Sequence, residues 1–475
     1  MLKFNRKEDN DMTRPAKILI IITLVFFSCS LSTKAGEELS ITLKQAVRLA
    51  LQNNPTALQA SETVAIQQAE VTGAVGEFLP TVSANIRGYQ QYDSGQNVAG
   101  QSTGSTDSHT AFNRNFGVMD ITATANLKVF DGLSNVASLK RARLERDAAR
   151  TAKLWTEQSL AYAVASRFYQ VLKSRELVAL KEKQLEQNHM QLEKIESFYK
   201  AGKTSVTDLF QQKAELSQAK KQLLEAENTL RVNQLTLTQI LGLPESTGLS
   251  IIEPKEASAS FLSLPDAYEN ALGSAIGNRA DLKSQSLTHK ARAQDVTMAY
   301  AGYWPKINLF ASIGTGYSTL DDGSSFTDQF TQGKAVGTVG IVLSIPLFDG
   351  LDTHAAVTKA KAEQKITKLE NVKLRQQAAV DLLQAIEEYK TTVRQVEVAQ
   401  SYAEATGLAL EAMQERYDVR ASTLLELSSA RTAYFEALYD SIDAMYTQTT
   451  QRLAVAYQEG NLMETLNTLY KGANQ

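Results

Sequence analysis

The chain has 475 residues, 21% of them charged, and a formal net charge of -3. That balance gives no electrostatic footprint for nucleic acid, which needs a basic patch or stripe. The single cysteine, Cys29, lies close to the N-terminus, so no disulfide framework can hold the fold.

Residues 1–35 read as a secretory signal. Arg14 and Lys17 form a basic start, Ile18 to Phe27 is a short apolar run, and Thr33-Lys34-Ala35 places small residues where a signal peptidase cuts. Met12 is a second candidate start, because residues 1–11 are polar and fit no part of such a signal. Cys29 is a candidate lipidation site, although Phe26-Phe27-Ser28 before it fits that pattern poorly. After residue 35 no apolar run reaches the roughly 18 residues a membrane helix needs. Entry into a membrane would therefore require strands closed into a barrel.

The rest is one unit written twice. Leu43 to Leu58 is echoed by Leu264 to Leu282, and Phe78-Leu79-Pro80 by Tyr303-Trp304-Pro305. Val129-Phe130-Asp131-Gly132-Leu133 is matched by Leu347-Phe348-Asp349-Gly350-Leu351, and Tyr199 to Leu209 by Tyr417 to Leu427, both at an offset of 218 residues. The division expected is a first repeat over 36–249, a linker over 250–263, a second repeat over 264–459 and a tail over 460–475.

Each repeat begins with a helix and then alternates. Val82, Ala84 and Ile86 oppose Ser83, Asn85 and Arg87; Ile121 to Val129 alternates likewise; Ile307 to Ile313 and Val339 to Ile345 repeat the pattern. Period-two alternation over about ten residues with one apolar face is the pattern of a membrane barrel strand. Polar stretches, Asp93 to Asn115 and Thr319 to Lys334, join the strands of each pair. Four strands cannot close a barrel, which needs about eight, so strands must be pooled between chains.

A long helix follows each pair of strands. From Leu133 to Ala201 there is neither proline nor glycine, and the second copy runs from Leu351 to a break near Arg420 with Gly407 as its one interruption. A seven-residue column, Val164, Val171, Val178, Leu185, Leu192 and Tyr199, recurs 218 residues later as Leu382 to Tyr417. A second column, Leu209 to Leu237, lies on the return helix. Such columns favour supercoiled packing on neighbours. Lys181 and Asn188 interrupt the complementary positions, so a sheet-like packing of several helices fits better than a two-stranded zipper.

At the turns, Ser205 with Asp208 and Thr423 with Glu426 each have the form of a capping box. The four histidines, His109, His189, His289 and His354, have no metal-ligand spacing, and no phosphate-binding glycine loop is present. A catalytic function and a cofactor are therefore not expected. The rival reading is a structural coiled-coil protein of the envelope without a pore; amphipathic strands with a lipid-like face count against it.

The chain resembles the TolC family of outer-membrane efflux and secretion proteins. The resemblance rests on Asn54-Pro55, Phe78-Leu79-Pro80, the run Ile345-Pro346-Leu347-Phe348-Asp349-Gly350, and Arg416-Tyr417 with Thr423-Leu424-Leu425-Glu426, in that order. It implies a mainly α protein with a β-barrel portion. Three subunits would form a twelve-stranded transmembrane barrel continuing into a long α-helical barrel in the periplasm, where a periplasmic adaptor and an inner-membrane transporter, ABC-type or proton-driven, dock. It further implies a collar built from residues 242–263 and the tail after Gly460. The helical turns would close the tip: Asp208 and Tyr417 match an acid–tyrosine link, and Glu426 matches one acid of the constriction. Two departures stand out. The second constriction acid falls on Ser429, and the turn glycine kept as Gly202 is Arg420 in the second copy, where it is also a candidate for a closing ion pair.

Overall fold

The structure is a computed structural model that describes residues 39–93, 114–252, 268–319, 325–331 and 335–472. The signal segment with Cys29, the Asp93 to Asn115 connection beyond its two ends, and residues 253–263 of the expected collar lie outside the described residues.

The chain starts with a short strand β1 (Leu39–Ile41) and helix α1 (Leu43–Asn53), which opens on a capping box between Thr42 and Gln45. Asn54 ends α1 and begins α2 (Pro55–Gly76): its side chain accepts from the Thr56 amide at 2.8 Å, and Pro55 sits in the first turn, where no amide is needed. The Asn54 side-chain Nδ2 also donates to the Ile240 carbonyl at 2.8 Å, so this kink is anchored to an element nearly 190 residues away.

Two strands follow, β2 (Thr81–Asp93) and β3 (Arg114–Phe130), then helix α3 (Ser134–Lys200), helix α4 (Val206–Ile240) and strand β4 (Leu249–Ile251). The second half has α5 (Tyr268–Asn278), α6 (Ala280–Tyr300), a 3-10 turn, β5 (Lys306–Ser318), α7 (Phe326–Thr331), β6 (Val336–Ser344), α8 (Asp352–Asp418), α9 (Leu424–Gln458) and α10 (Leu462–Gly472). α3 and α8 have 67 residues each, and α4 and α9 have 35 each. A 67-residue helix is about 100 Å long.

The repeated Asp-Gly-Leu motifs make the strand-to-helix turns. Gly132 and Leu133, and Gly350 and Leu351, are left-handed in succession. The Asp131 carboxylate accepts from the Asn135 amide at 2.9 Å, and Asp349 accepts from the Leu351 and Thr353 amides at 3.1 and 2.9 Å. The aspartates thus take up amides that have no partner within the first helical turn.

The strands form one antiparallel sheet in the order β2-β3-β5-β6, so the two hairpins join through β3 and β5, and β2 and β6 are the edges. Register places Val82 beside Ala125, Ala125 beside Ala311, and Ala311 beside Val339. The next row runs Ser83, Thr124, Ser312, Thr338. The apolar sets of all four strands therefore share one face. That face is bare in the single chain: Val82 is 74% exposed and Val339 81%. The Thr319 to Lys334 connection is not wholly irregular, because Ser325 and Asp328 cap α7, and Phe326 meets the Tyr317 ring edge-on at 5.0 Å.

In the half of the helices away from the sheet, the lateral order is α4, α3, α9, α8. Nearer the sheet, α2 and α6 flank α3, and α6 also packs on α8. The largest core cluster lies at mid-length of α3, around Val164, Phe168 and Leu172, with Leu237, Leu453 and Leu462. There β1 pairs in parallel with β4, and α10 packs on α3. The contribution of Leu39–Ile41 was not anticipated from sequence. The seven-residue column is buried at Val164 and Val171 and turns toward the surface by Tyr199, as a 3.6-residue helix drifts against a repeat of 3.5. Gly407 does not interrupt α8; its missing side chain admits Tyr434, whose ring would lie 3.1 Å from a Cβ there. Among the described residues no helix is long and apolar enough to cross a membrane.

Candidate functional site at the two helical turns

The turns after α3 and α8 close in the same way. The amides of Gly202 and Lys203 bond to the carbonyls of Tyr199 and Phe198; those of Arg420 and Ala421 bond to Tyr417 and Arg416. This double bond pattern requires a left-handed residue after the helix. Gly202 has φ 67°, and Arg420 holds the equivalent conformation at 59°.

Both return helices begin with complete capping boxes. The Asp208 amide donates to Ser205 Oγ at 3.0 Å, and the Ser205 amide donates back to Asp208 Oδ2 at 3.2 Å. Thr204 Oγ1 adds a shorter donation to the same oxygen, 2.7 Å. That hydroxyl is the main reason the Asp208 carboxyl is held below its ordinary range; burial opposes it and the Ser205 donors add to it. The Thr423 amide donates to Glu426 Oε2 at 2.8 Å, and the Glu426 amide to Thr423 Oγ1 at 3.2 Å. These bonds, the Thr423 backbone donor first, lower the Glu426 carboxyl as well.

A small apolar cluster of Ile195, Leu209 and Leu424, with Leu192 and Tyr417 packed against it, seats the turns side by side. Burial, then the nearby negative charges of Asp208 and Asp418, push the Tyr417 hydroxyl up. Asp208 and Tyr417 are thus neighbours in one chain, but no hydrogen bond joins them there. Arg420 is exposed, and among the described residues it forms no ion pair. Glu426 and Ser429 lie three residues apart on an exposed side of α9.

Several links across the turns were not singled out from sequence. Lys194 of α3 pairs with Asp418 at the end of α8. Ser428 of α9 donates to Glu215 of α4 at 2.7 Å. Asn188, which interrupts the heptad pattern, is buried and accepts from both Gln212 of α4 and Arg431 of α9. Its polar side chain in a packing position was the only signal available. Among the described residues no cluster of His, Cys, Asp and Glu is suited to a metal ion.

What these features offer is mechanical: two hairpins about 100 Å from the sheet, joined to each other by a few polar links. Residues 46–243 and 271–458 match the family described as outer membrane efflux protein. The pyoverdine export outer membrane protein OpmQ of Pseudomonas putida is 25% identical over 403 residues, covering 83% of this chain and 80% of that protein. The outer membrane protein TolC of Salmonella enteritidis is 21% identical over 314 residues, 65% of this chain and 62% of that one. Among solved structures, the CmeC outer membrane channel of Campylobacter jejuni superposes with a TM-score of 0.75 at 15% identity, covering 91% of this chain and 89% of that chain.

Proposed function

This chain belongs to the outer membrane efflux protein family, and from that membership we propose that three copies form a passive export conduit opened at its periplasmic tip. The observation that carries the reading is the four-stranded sheet with one apolar face and two unpaired edges, β2 and β6. Open edges are not tolerated in lipid, where every backbone group must find a partner. Three such sheets pooled edge to edge remove them, and the apolar rows then face the hydrocarbon.

The helices support the same assembly. α4 and α8 are the lateral edges of the tip half, and each carries exposed apolar residues: Phe210 and Leu224 on one, Val398 and Leu408 on the other. Packing α8 of one copy on α4 of the next covers both. Three-fold symmetry then gathers three copies of each turn around one opening. Asp208 and Tyr417, already adjacent, hold the neighbouring hairpins together, and Glu426 lines the mouth.

A passive conduit needs an energy source elsewhere. The partners are a periplasmic adaptor docking near the tip and an inner-membrane transporter that selects the cargo. Protein secretion and drug efflux use the same kind of pore in this reading, because selection rests with the transporter.

The assembly is tested with the purified protein in detergent by light scattering, and with the same material in planar bilayers. A trimer that conducts supports the reading. A folded, monodisperse monomer contradicts it.

A further inference from the structure

Arg431 is 7% exposed, yet among the described residues its guanidinium has no carboxylate partner. Its one hydrogen bond is from Nη1 to the neutral oxygen Oδ1 of Asn188, at 3.2 Å. That oxygen is shared, because Gln212 Nε2 also donates to it at 3.3 Å. Gln212 is 0% exposed and its own Oε1 has no donor. Three buried polar side chains from α3, α4 and α9 therefore meet with a full positive charge, a doubly used acceptor and an unused one. Arginine does not shed its proton to escape such a site, and a buried charge without a counter-charge is costly.

The missing counter-charge is close by. Glu215 stands on α4 one turn beyond Gln212, and the lowered affinity of the buried Arg431 for its proton is partly offset by this carboxylate. Glu215 is engaged elsewhere: Ser428 donates to its Oε1 at 2.7 Å, and Gln211 Nε2 donates to the same atom at 3.4 Å. Ser428 and Arg431 lie three residues apart on α9, on the same side and about 4.5 Å apart along the axis. α4 and α9 both run away from the turns. A slide of α9 toward its turn by less than one helical turn would exchange Ser428 for Arg431 opposite Glu215.

We propose that Glu215 is a two-position latch between the hairpins: it rests on Ser428 in the state described here and pairs with Arg431 when the tip opens. This rests on the reading of the turns as a gate. Packed helices move between discrete arrangements rather than deforming smoothly, and ratchets of one element past another by about one helical turn are among the known steps. The arrangement assigns a cost to the closed state, the unpaired guanidinium, and a gain to the open one, a charge-assisted pair. Arg431 and Glu215 act as positioning residues; neither needs to touch cargo.

The test uses the full-length trimer in planar bilayers, with the tip loosened by Asp208→Ser and Tyr417→Phe, and reads the ratio of open to closed time. In that background Ser428→Ala removes the closed-state partner and should raise the ratio. Glu215→Gln still accepts from Ser428 but cannot neutralise Arg431, and should lower the ratio by about tenfold, the factor for one lost charge-assisted bond. Arg431→Gln should act like Glu215→Gln, and the two together should be no worse than either, as expected of a shared interaction. Retention of the trimer in detergent checks that each variant is folded. A purely structural cluster would move Ser428→Ala and Glu215→Gln in the same direction; that result, or no change from either, overturns the latch. If the loosened background itself conducts like the wild type, the tip reading fails and the latch falls with it.

Discussion

Gly202 and Arg420 occupy the same left-handed position in the two turns, with φ of 67° and 59°. A Cβ on Gly202 would meet nothing within 4 Å, so the difference between the two residues there is one of backbone conformation. A left-handed residue with a side chain costs roughly 1–2 kcal/mol, part of which a glycine gives back through the freedom of the unfolded chain. Arg420→Gly should therefore stabilise the subunit by about 1 kcal/mol, and Gly202→Arg should destabilise it by a similar amount. Urea denaturation midpoints at constant protein concentration measure both.

The link proposed between Asp208 and Tyr417 predicts a change in closure without a change in assembly. A hydrogen bond to a charged carboxylate is worth about 1.5–3 kcal/mol, and symmetry repeats it in each subunit. Asp208→Ser combined with Tyr417→Phe should raise single-channel conductance, while the trimer persists because the packing of 67-residue helices is untouched. Unchanged conductance would leave Asp208 as a helix cap only.

Besides its cap, Glu426 has the proposed place at the mouth, and the two roles are separable. Gln completes a capping box as Glu does, so Glu426→Gln should leave thermal stability nearly unchanged. It removes a negative charge from an exposed side of α9, and a ring of such charges favours cations. Reversal potentials in a salt gradient should therefore show weaker cation selectivity in the variant.

The Asp208 cap also predicts a pH dependence. Its carboxyl is held below the ordinary value of 3.8, first by Thr204 and then by Ser205. A depressed folded value means that the stabilisation is present above pH 3.8 and is lost as the pH falls through the lower folded value. Thr204→Val removes the leading donor, so the Asp208 carboxyl should titrate nearer to 3.8 in the folded protein. Carbon-13 titration of the labelled carboxyl reads this directly.

The sheet predicts opposite tolerances for two adjacent residues. Val339 stands in the apolar row and Thr338 in the polar one. An arginine on a lipid face costs about 2–4 kcal/mol near the bilayer midplane, whereas lumen positions tolerate it. Val339→Arg should reduce the heat-modifiable outer-membrane species, and Thr338→Arg should leave its yield close to wild type.

What residues 39–472 disclose on their own is what neighbours in sequence can decide. The alternation at Val82, Ala84 and Ile86, the Asp-Gly-Leu turns before α3 and α8, and the capping boxes at Ser205 and Thr423 all rest on hydrogen bonds and periods within a few residues, so they were legible before any packing was known. The duplication made each such feature visible twice. Other relationships depended on separate strands and helices coming side by side. The joining of the hairpins through β3 and β5, the pairing of β1 with β4, the Lys194–Asp418 ion pair and the convergence of Gln212 and Arg431 on Asn188 have no local signature. A lysine, an asparagine or an arginine on a long amphipathic helix reads as solvated until a neighbouring helix covers it. Only tertiary packing turned Asn188 from a flaw in a heptad pattern into the acceptor on which α4 and α9 meet.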